Sequence, residues 1–113
     1  MLISKFDSHV RDKAKFYNPK KHGIPPEIYG SLAMCGEAGE LAGKIKKLWR
    51  DDDGVVSDER KAAILDELGD ILWYLTYTGH GFGYTLADIM HRNVIKLNGR
   101  RRRNVQKGDG DHR

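Results

Sequence analysis

Four carboxylates fall at matched places in two stretches of this chain. Met34-Cys35-Gly36-Glu37-Ala38-Gly39-Glu40-Leu41 can be laid over Ile64-Leu65-Asp66-Glu67-Leu68-Gly69-Asp70-Ile71. Each reads as an apolar residue, two spacers, Glu, a spacer, Gly, an acid and an apolar residue. At about 100° per residue on a helix, Glu37 and Glu40 stand on adjoining turns of one face. Leu41, Met34 and Ile45 fall about 40–80° to one side of Glu37. In the second copy Ile71, Ile64 and Leu75 take those places beside Glu67, with Asp70 matching Glu40. Each helix therefore carries two acids along the border of the face it should bury. Packing the two faces together brings four carboxylates to one seam.

Such a quartet needs compensation. At an effective dielectric near 20, a single pair of like charges about 4 Å apart costs about 4 kcal/mol. Protonation or a bound cation relieves this, and oxygen-only ligands favour hard ions, Mg²⁺ first with Mn²⁺ as substitute. A di-iron or di-manganese carboxylate bundle would require Glu-x-x-His motifs, and neither acidic pair has a His three residues on. Zinc is disfavoured by a single Cys and scattered His. His80 and His91 read as ordinary polar positions.

The plainer reading is a solvated charged face, with Glu40 and Lys44 as a stabilising i,i+4 pair. Two features argue against it. The acids recur at one offset from the apolar stripe, and each pair encloses a glycine, Gly39 or Gly69. A mid-helix glycine costs roughly 0.8–1 kcal/mol relative to alanine, so close approach of the two helices at these glycines is expected in return.

The elements that must position the acids are all helical. Residues 2 to about 17 carry a weak amphipathic pattern at 3, 6, 10 and 17, broken by turn formers over 18–23. Pro25-Pro26 suits a helix start, and a long helix should run to Trp49 or Arg50 with Lys44, Lys46, Lys47 and Arg50 toward its C-terminal end. Asp51-Asp52-Asp53-Gly54 fails the EF-hand pattern, since Trp49 stands where the first Asp ligand belongs, and reads as a solvated turn. Ser57 can cap a helix from Asp58 to about Thr78. Its second half, Ile71-Leu72-Trp73-Tyr74-Leu75-Thr76-Tyr77, is apolar or aromatic almost all round and should be covered on more than one side. Trp49, Trp73, Tyr74 and Tyr77 are expected in the core or an interface, and Cys35 likewise. The segment from Gly79 to Gly83 is a connector, and Thr85 to Asp88 resembles a capping box opening a last helix to about Leu97. The expected fold is all-α, a four-helix bundle-like domain over residues 1–103, completed by homo-oligomerisation, with a basic disordered tail over 104–113.

Composition narrows the partners. The chain has 113 residues, 39% hydrophobic and 32% charged, as in a globular domain. No apolar run approaches the ~18–20 residues of a membrane span, and the N-terminus lacks a signal-peptide h-region. One cysteine leaves no internal disulfide and fits a reducing cytoplasm. The net charge of +4 resides wholly in residues 100–113, so the body is neutral. Arg100 to Arg103 could give salt-dependent, sequence-blind nucleic-acid affinity. A neutral body and a tail without aromatics argue against that.

At this point the chain resembles the MazG-like nucleoside triphosphate pyrophosphohydrolases of the all-α NTP pyrophosphatase superfamily, whose motif is written EExxE…ExxD. The resemblance rests on Glu37-x-x-Glu40, on Glu67-x-x-Asp70 and on Asn93-x-x-Lys96-Leu97-x-x-Arg100, and spans roughly residues 25 to 103. It implies hydrolysis of a (deoxy)nucleoside triphosphate to the monophosphate and pyrophosphate, with Mg²⁺ held by Glu37, Glu40, Glu67 and Asp70. By the same analogy Glu37 orients or deprotonates the attacking water. Lys44, Lys96 and Arg100, with Lys47 a weaker candidate, would meet phosphates, and Asn93 would bind substrate or brace the site. One departure stands out. Gly36 occupies the place of the first Glu of EExxE. This spares the implied metal ligands and opens an alternative, a non-catalytic Mg²⁺- and nucleotide-binding or interaction protein on the same bundle.

Overall fold

The computed structural model describes residues 1–15, 23–104 and 108, and it contains four helices and no strand among them. These are α1 (Ile3–Ala14), α2 (Pro26–Asp51), α3 (Asp58–Gly81) and α4 (Leu86–Arg102). The all-α, four-helix expectation is met. The turn expected over residues 18–22, the last residues expected of the first helix, and most of the tail lie outside the described residues.

Local chemistry accounts for the helix ends. Pro25 and Pro26 open α2 where a backbone N–H would have no partner anyway. Its C-terminal end is closed by the amides of Asp52 and Gly54, which both donate to the Leu48 carbonyl, at 3.1 and 2.9 Å. Asp53 (φ 52°) and Gly54 (φ 78°) are left-handed there. A Cβ on Gly54 would lie 2.8 Å from the Trp49 ring, so glycine is needed for space as well as for φ. The Ser57 hydroxyl accepts from the Arg60 amide at the start of α3. Thr85 and Asp88 form the reciprocal capping box of α4, at 3.1 and 2.9 Å. Two helices outrun the sequence reading. Helix α3 continues through Gly79 to Gly81, and the turn comes at Gly83 (φ 84°), whose amide donates to the His80 carbonyl. Helix α4 runs on through its arginines to Arg102, where positive side chains complement the helix dipole.

Helices α2 and α3 form a long antiparallel hairpin, the main packing unit of the chain. The hairpin closes tightly at Gly30, where a Cβ would sit 2.4 Å from Thr78 Oγ1 and 3.2 Å from the Tyr77 ring. At Gly39 and Gly69 a Cβ would meet nothing within 4 Å. The expected close approach therefore occurs two to three turns away from the acids, and the two glycines between the acid pairs face open space.

Helix α1 joins the C-terminal end of α3 to the start of α4. Buried Val10 packs there, and Asp7 is the polar centre of the junction. Asp7 Oδ1 accepts from the Leu86 amide and meets His80 Nε2, each at 2.9 Å, while Oδ2 accepts from Arg11 Nε at 3.1 Å. Ile89 packs on α3 at Gly79, where a Cβ would come within 2.6 Å of it.

The apolar core is thin. Among the described residues Val10, Leu48, Tyr77 and Leu86 are the buried hydrophobic ones. Leu65, Leu68 and Leu72 are 69, 47 and 39% exposed on α3, and Met90, Val94 and Leu97 are exposed on α4. Trp49 and Cys35, expected in a core or interface, are exposed in this chain. Among the described residues no helix is long and apolar enough to cross a membrane.

Candidate metal centre

The acids lie near the middle of the α2–α3 hairpin. Carboxylate oxygens of Glu37, Glu67 and Asp70 come within 4.8 Å of one another. Glu67 is buried, Glu37 half-buried and Asp70 exposed, so the cluster grades from the seam out to solvent. Glu40, one turn beyond Glu37, is exposed at the rim, close enough for its charge to act on Glu37.

Lys44, two turns along α2 from Glu37, reaches across the seam to Glu67 Oε1 at 2.5 Å. The other oxygen, Glu67 Oε2, is buried and has no hydrogen-bond partner.

The ionisation of the cluster follows from this geometry. Burial, the facing Glu67 carboxyl and the charges of Glu40 and Asp70 hold the Glu37 carboxyl above the ordinary glutamate range. The hydrogen bond from Lys44 outweighs burial at Glu67 and holds that carboxyl below its ordinary value. The same contact pushes the Lys44 ammonium up. Glu67 thus keeps its charge at neutral pH, and the negative charge around it exceeds what one lysine balances.

A hard divalent cation suits this site. The donors are all oxygens, three lie within mutual reach of one ion, and an unpartnered carboxylate oxygen is buried at the centre. An uncompensated buried acceptor of this kind costs about 1–3 kcal/mol or more, which coordination would recover.

Sequence-derived candidates on α4 are placed differently. Asn93 is exposed, Lys96 half-buried and Arg100 buried at 4% exposure. They share one line of α4, but that helix has only a short contact with α3 and no extended contact with α2. They are not gathered at the acids as Lys44 is. Lys47 is exposed on α2. Tyr29 drew no notice in the sequence, yet its ring lies 6.4 Å from that of Tyr74, across the seam and on the far side of the acids from Lys44. Helical spacing from Glu40 back through Gly36 and Ala33 was the available signal.

Comparison with known proteins gives a family. The MazG nucleotide pyrophosphohydrolase domain matches residues 31–105, which is about two thirds of the chain and includes all four acids. The chain belongs to this family. It is also 40% identical over 85 residues to the Gene 37 protein of Mycobacterium phage L5, a match covering 75% of each chain. No solved structure matches it significantly.

Proposed function

We propose that the protein hydrolyses nucleoside triphosphates, ribo- or deoxyribo-, to the monophosphate and pyrophosphate in the presence of Mg²⁺. The observation that carries this reading is the Glu37–Glu67–Asp70 cluster with its unpartnered Glu67 Oε2, in a chain of the MazG family. Glu67, Asp70 and Glu37, with Glu40 at the rim, would hold Mg²⁺, with Mn²⁺ as a substitute. Bound there, the ion supplies charge neutralisation for the phosphates and makes a nearby water more acidic.

The chain's own residues do the rest. Glu37 stands at the edge between seam and solvent, where its carboxylate can orient a water and take its proton as the anhydride is attacked. Lys44, already reaching over Glu67, would meet a phosphate oxygen and offset charge on the leaving pyrophosphate. The exposed rim at Glu40 and Asp70 leaves the way in for a polyanion that arrives with its own cation. Asn93, Lys96 and Arg100 would add phosphate contacts only if α4 of this or a neighbouring copy came over the hairpin. Self-association belongs to the same proposal. The exposed leucines of α3 lie about 100–160° around the helix from Glu67, and Asp70 lies about 60° to the other side, so a partner can cover them and leave the rim open.

A direct assay tests the activity. Purified protein with Mg²⁺ and a panel of ribo- and deoxynucleoside triphosphates should release pyrophosphate, and Glu67→Gln should not. Wild type indistinguishable from Glu67→Gln on every substrate would overturn the reading. Mg²⁺-dependent nucleotide binding without turnover would select the non-catalytic alternative that Gly36 raises.

A further inference from the structure

The open flank of the hairpin has two chemically different ends. On α2 the residues Tyr29, Ala33, Gly36 and Glu40 are spaced by four, three and four, which puts them within about 60° of arc in a single line. Helix α3 carries the same spacing in Asp66, Asp70, Trp73 and Tyr77. The helices are antiparallel, so acid faces acid and aromatic faces aromatic. Glu37 meets Glu67 at one end, and Tyr29 meets Tyr74 at the other.

The aromatic end is a continuous cluster. Trp73 packs edge-on to Tyr74 at 5.1 Å and stacks with Tyr77 at 5.3 Å, and Tyr29 leans on Tyr74. Tyr77 is buried beneath, Trp73 and Tyr74 are half-buried, and Tyr29 is 39% exposed. The floor between the two ends is made of small residues. Ala33 and Gly36 lie there, and a Cβ on Gly36 would meet nothing within 4 Å. Among the described residues neither α1 nor α4 packs extensively on α2. Seven residues of helix, about 10 Å, separate Glu67 from Tyr74. That is about the reach from a nucleotide's phosphates across its sugar to its base.

We infer that Tyr29, with Trp73 and Tyr74, forms the nucleobase site of this protein, and that Ala33 and Gly36 floor the passage for the sugar. The inference rests on the proposed function for the placement of phosphates at the acids, and adds what would hold the rest of the ligand. Recognition is by stacking on π faces, which every base offers. Nucleoside monophosphates of all four bases therefore bind within a few-fold of one another. A hydrogen-bonding pocket would rank them far more steeply.

Binding measurements test this apart from catalysis. Stacking of one base on an aromatic side chain is worth about 1–3 kcal/mol, so Tyr29→Ala weakens calorimetric binding of a nucleoside monophosphate about tenfold, and Tyr29→Phe restores it. Inorganic pyrophosphate with Mg²⁺, which has no base, binds wild type and Tyr29→Ala alike. Loss of both ligands in parallel would reject the site as a mere folding effect. A second measurement leaves the site intact. The chain has two tryptophans, so in Trp49→Phe protein all tryptophan emission comes from Trp73, and a monophosphate should quench it while pyrophosphate does not. Monophosphate affinity unchanged in Tyr29→Ala, or emission from Trp73 unmoved at saturating nucleotide, overturns the base site. Either result with turnover intact leaves the hydrolase reading standing. Tyr29-dependent binding without turnover leaves the base site standing and removes the hydrolase.

Discussion

Lys44 Nζ and Glu67 Oε1 make the shortest ionic contact across the α2–α3 seam, and they make it at the oxygen next to one that has no partner. The lysine occupies one side of a carboxylate and leaves the other side without a hydrogen-bond partner. It is a partial counter-ion, and the remaining negative charge is available for binding.

Metal binding should therefore show as stability. A ligand that binds only the folded state adds RT ln(1 + [L]/Kd), about 2.7 kcal/mol at a hundred times Kd. Saturating Mg²⁺ is expected to raise the thermal midpoint of the wild type by several degrees, read by calorimetry. In Glu67→Gln the shift should vanish. An equal shift in both proteins would show that the ion binds elsewhere.

The Asp7 junction gives a pH dependence far from the acids. Burial would raise the Asp7 carboxyl, but the contacts from His80, the Leu86 amide and Arg11 outweigh it and hold it below the ordinary aspartate value. A depressed folded-state pKa contributes stability that is present above the unfolded value and is lost as pH falls through the folded one. In Asp7→Asn this acid-side loss should flatten in a plot of thermal midpoint against pH. Asp7→Ala also leaves the Leu86 N–H without its acceptor and should cost about 1–3 kcal/mol at neutral pH. A neutral-pH midpoint unchanged in Asp7→Ala would show that the junction is not holding α1 in place.

The glycines divide into two kinds, and substitution should separate them. A methyl on Gly30 would press on Thr78 Oγ1 and the Tyr77 ring, so Gly30→Ala should destabilise by about 1–3 kcal/mol, the usual cost of overpacking. Gly39→Ala and Gly69→Ala add a methyl in open space and recover helix propensity of about 0.8–1 kcal/mol each. Chemical denaturation of the three variants should give opposite signs. A large loss at Gly39 or Gly69 would restore the close approach that the sequence pattern suggested.

That difference shows what the sequence could and could not reveal. The helices, their caps at Ser57 and Thr85, and the matched places of the acids beside each apolar stripe follow from periodicity and local chemistry, which act over a few residues. The contact at Gly30 depends on which turn of α2 meets which turn of α3, and no local rule supplies that register. Gly39 and Gly69 misled because a glycine between two acids looks the same whether it faces a neighbour or solvent. Helix α4 outran its estimate because arginines near a C-terminus extend a helix as readily as they leave it. Asp7 was invisible for a related reason. Its partners His80 and Leu86 lie more than seventy residues away and meet it only when α1 crosses the end of α3.

Self-association is the remaining prediction, and an exposed apolar stripe argues for it. Leu65, Leu68 and Leu72 stand in one exposed stripe on α3, with Ile45 of α2 38% exposed on the same flank. A second copy packed there would bury a stripe of the kind that water-exposed helices do not keep. Light scattering at micromolar concentration should give at least twice the mass of one chain. Leu68→Glu places a charge in the middle of the stripe and should shift the population toward monomer. The acids face the opposite flank, so Mg²⁺ should still raise the midpoint of that variant. A wild-type monomer at those concentrations would rule out this interface.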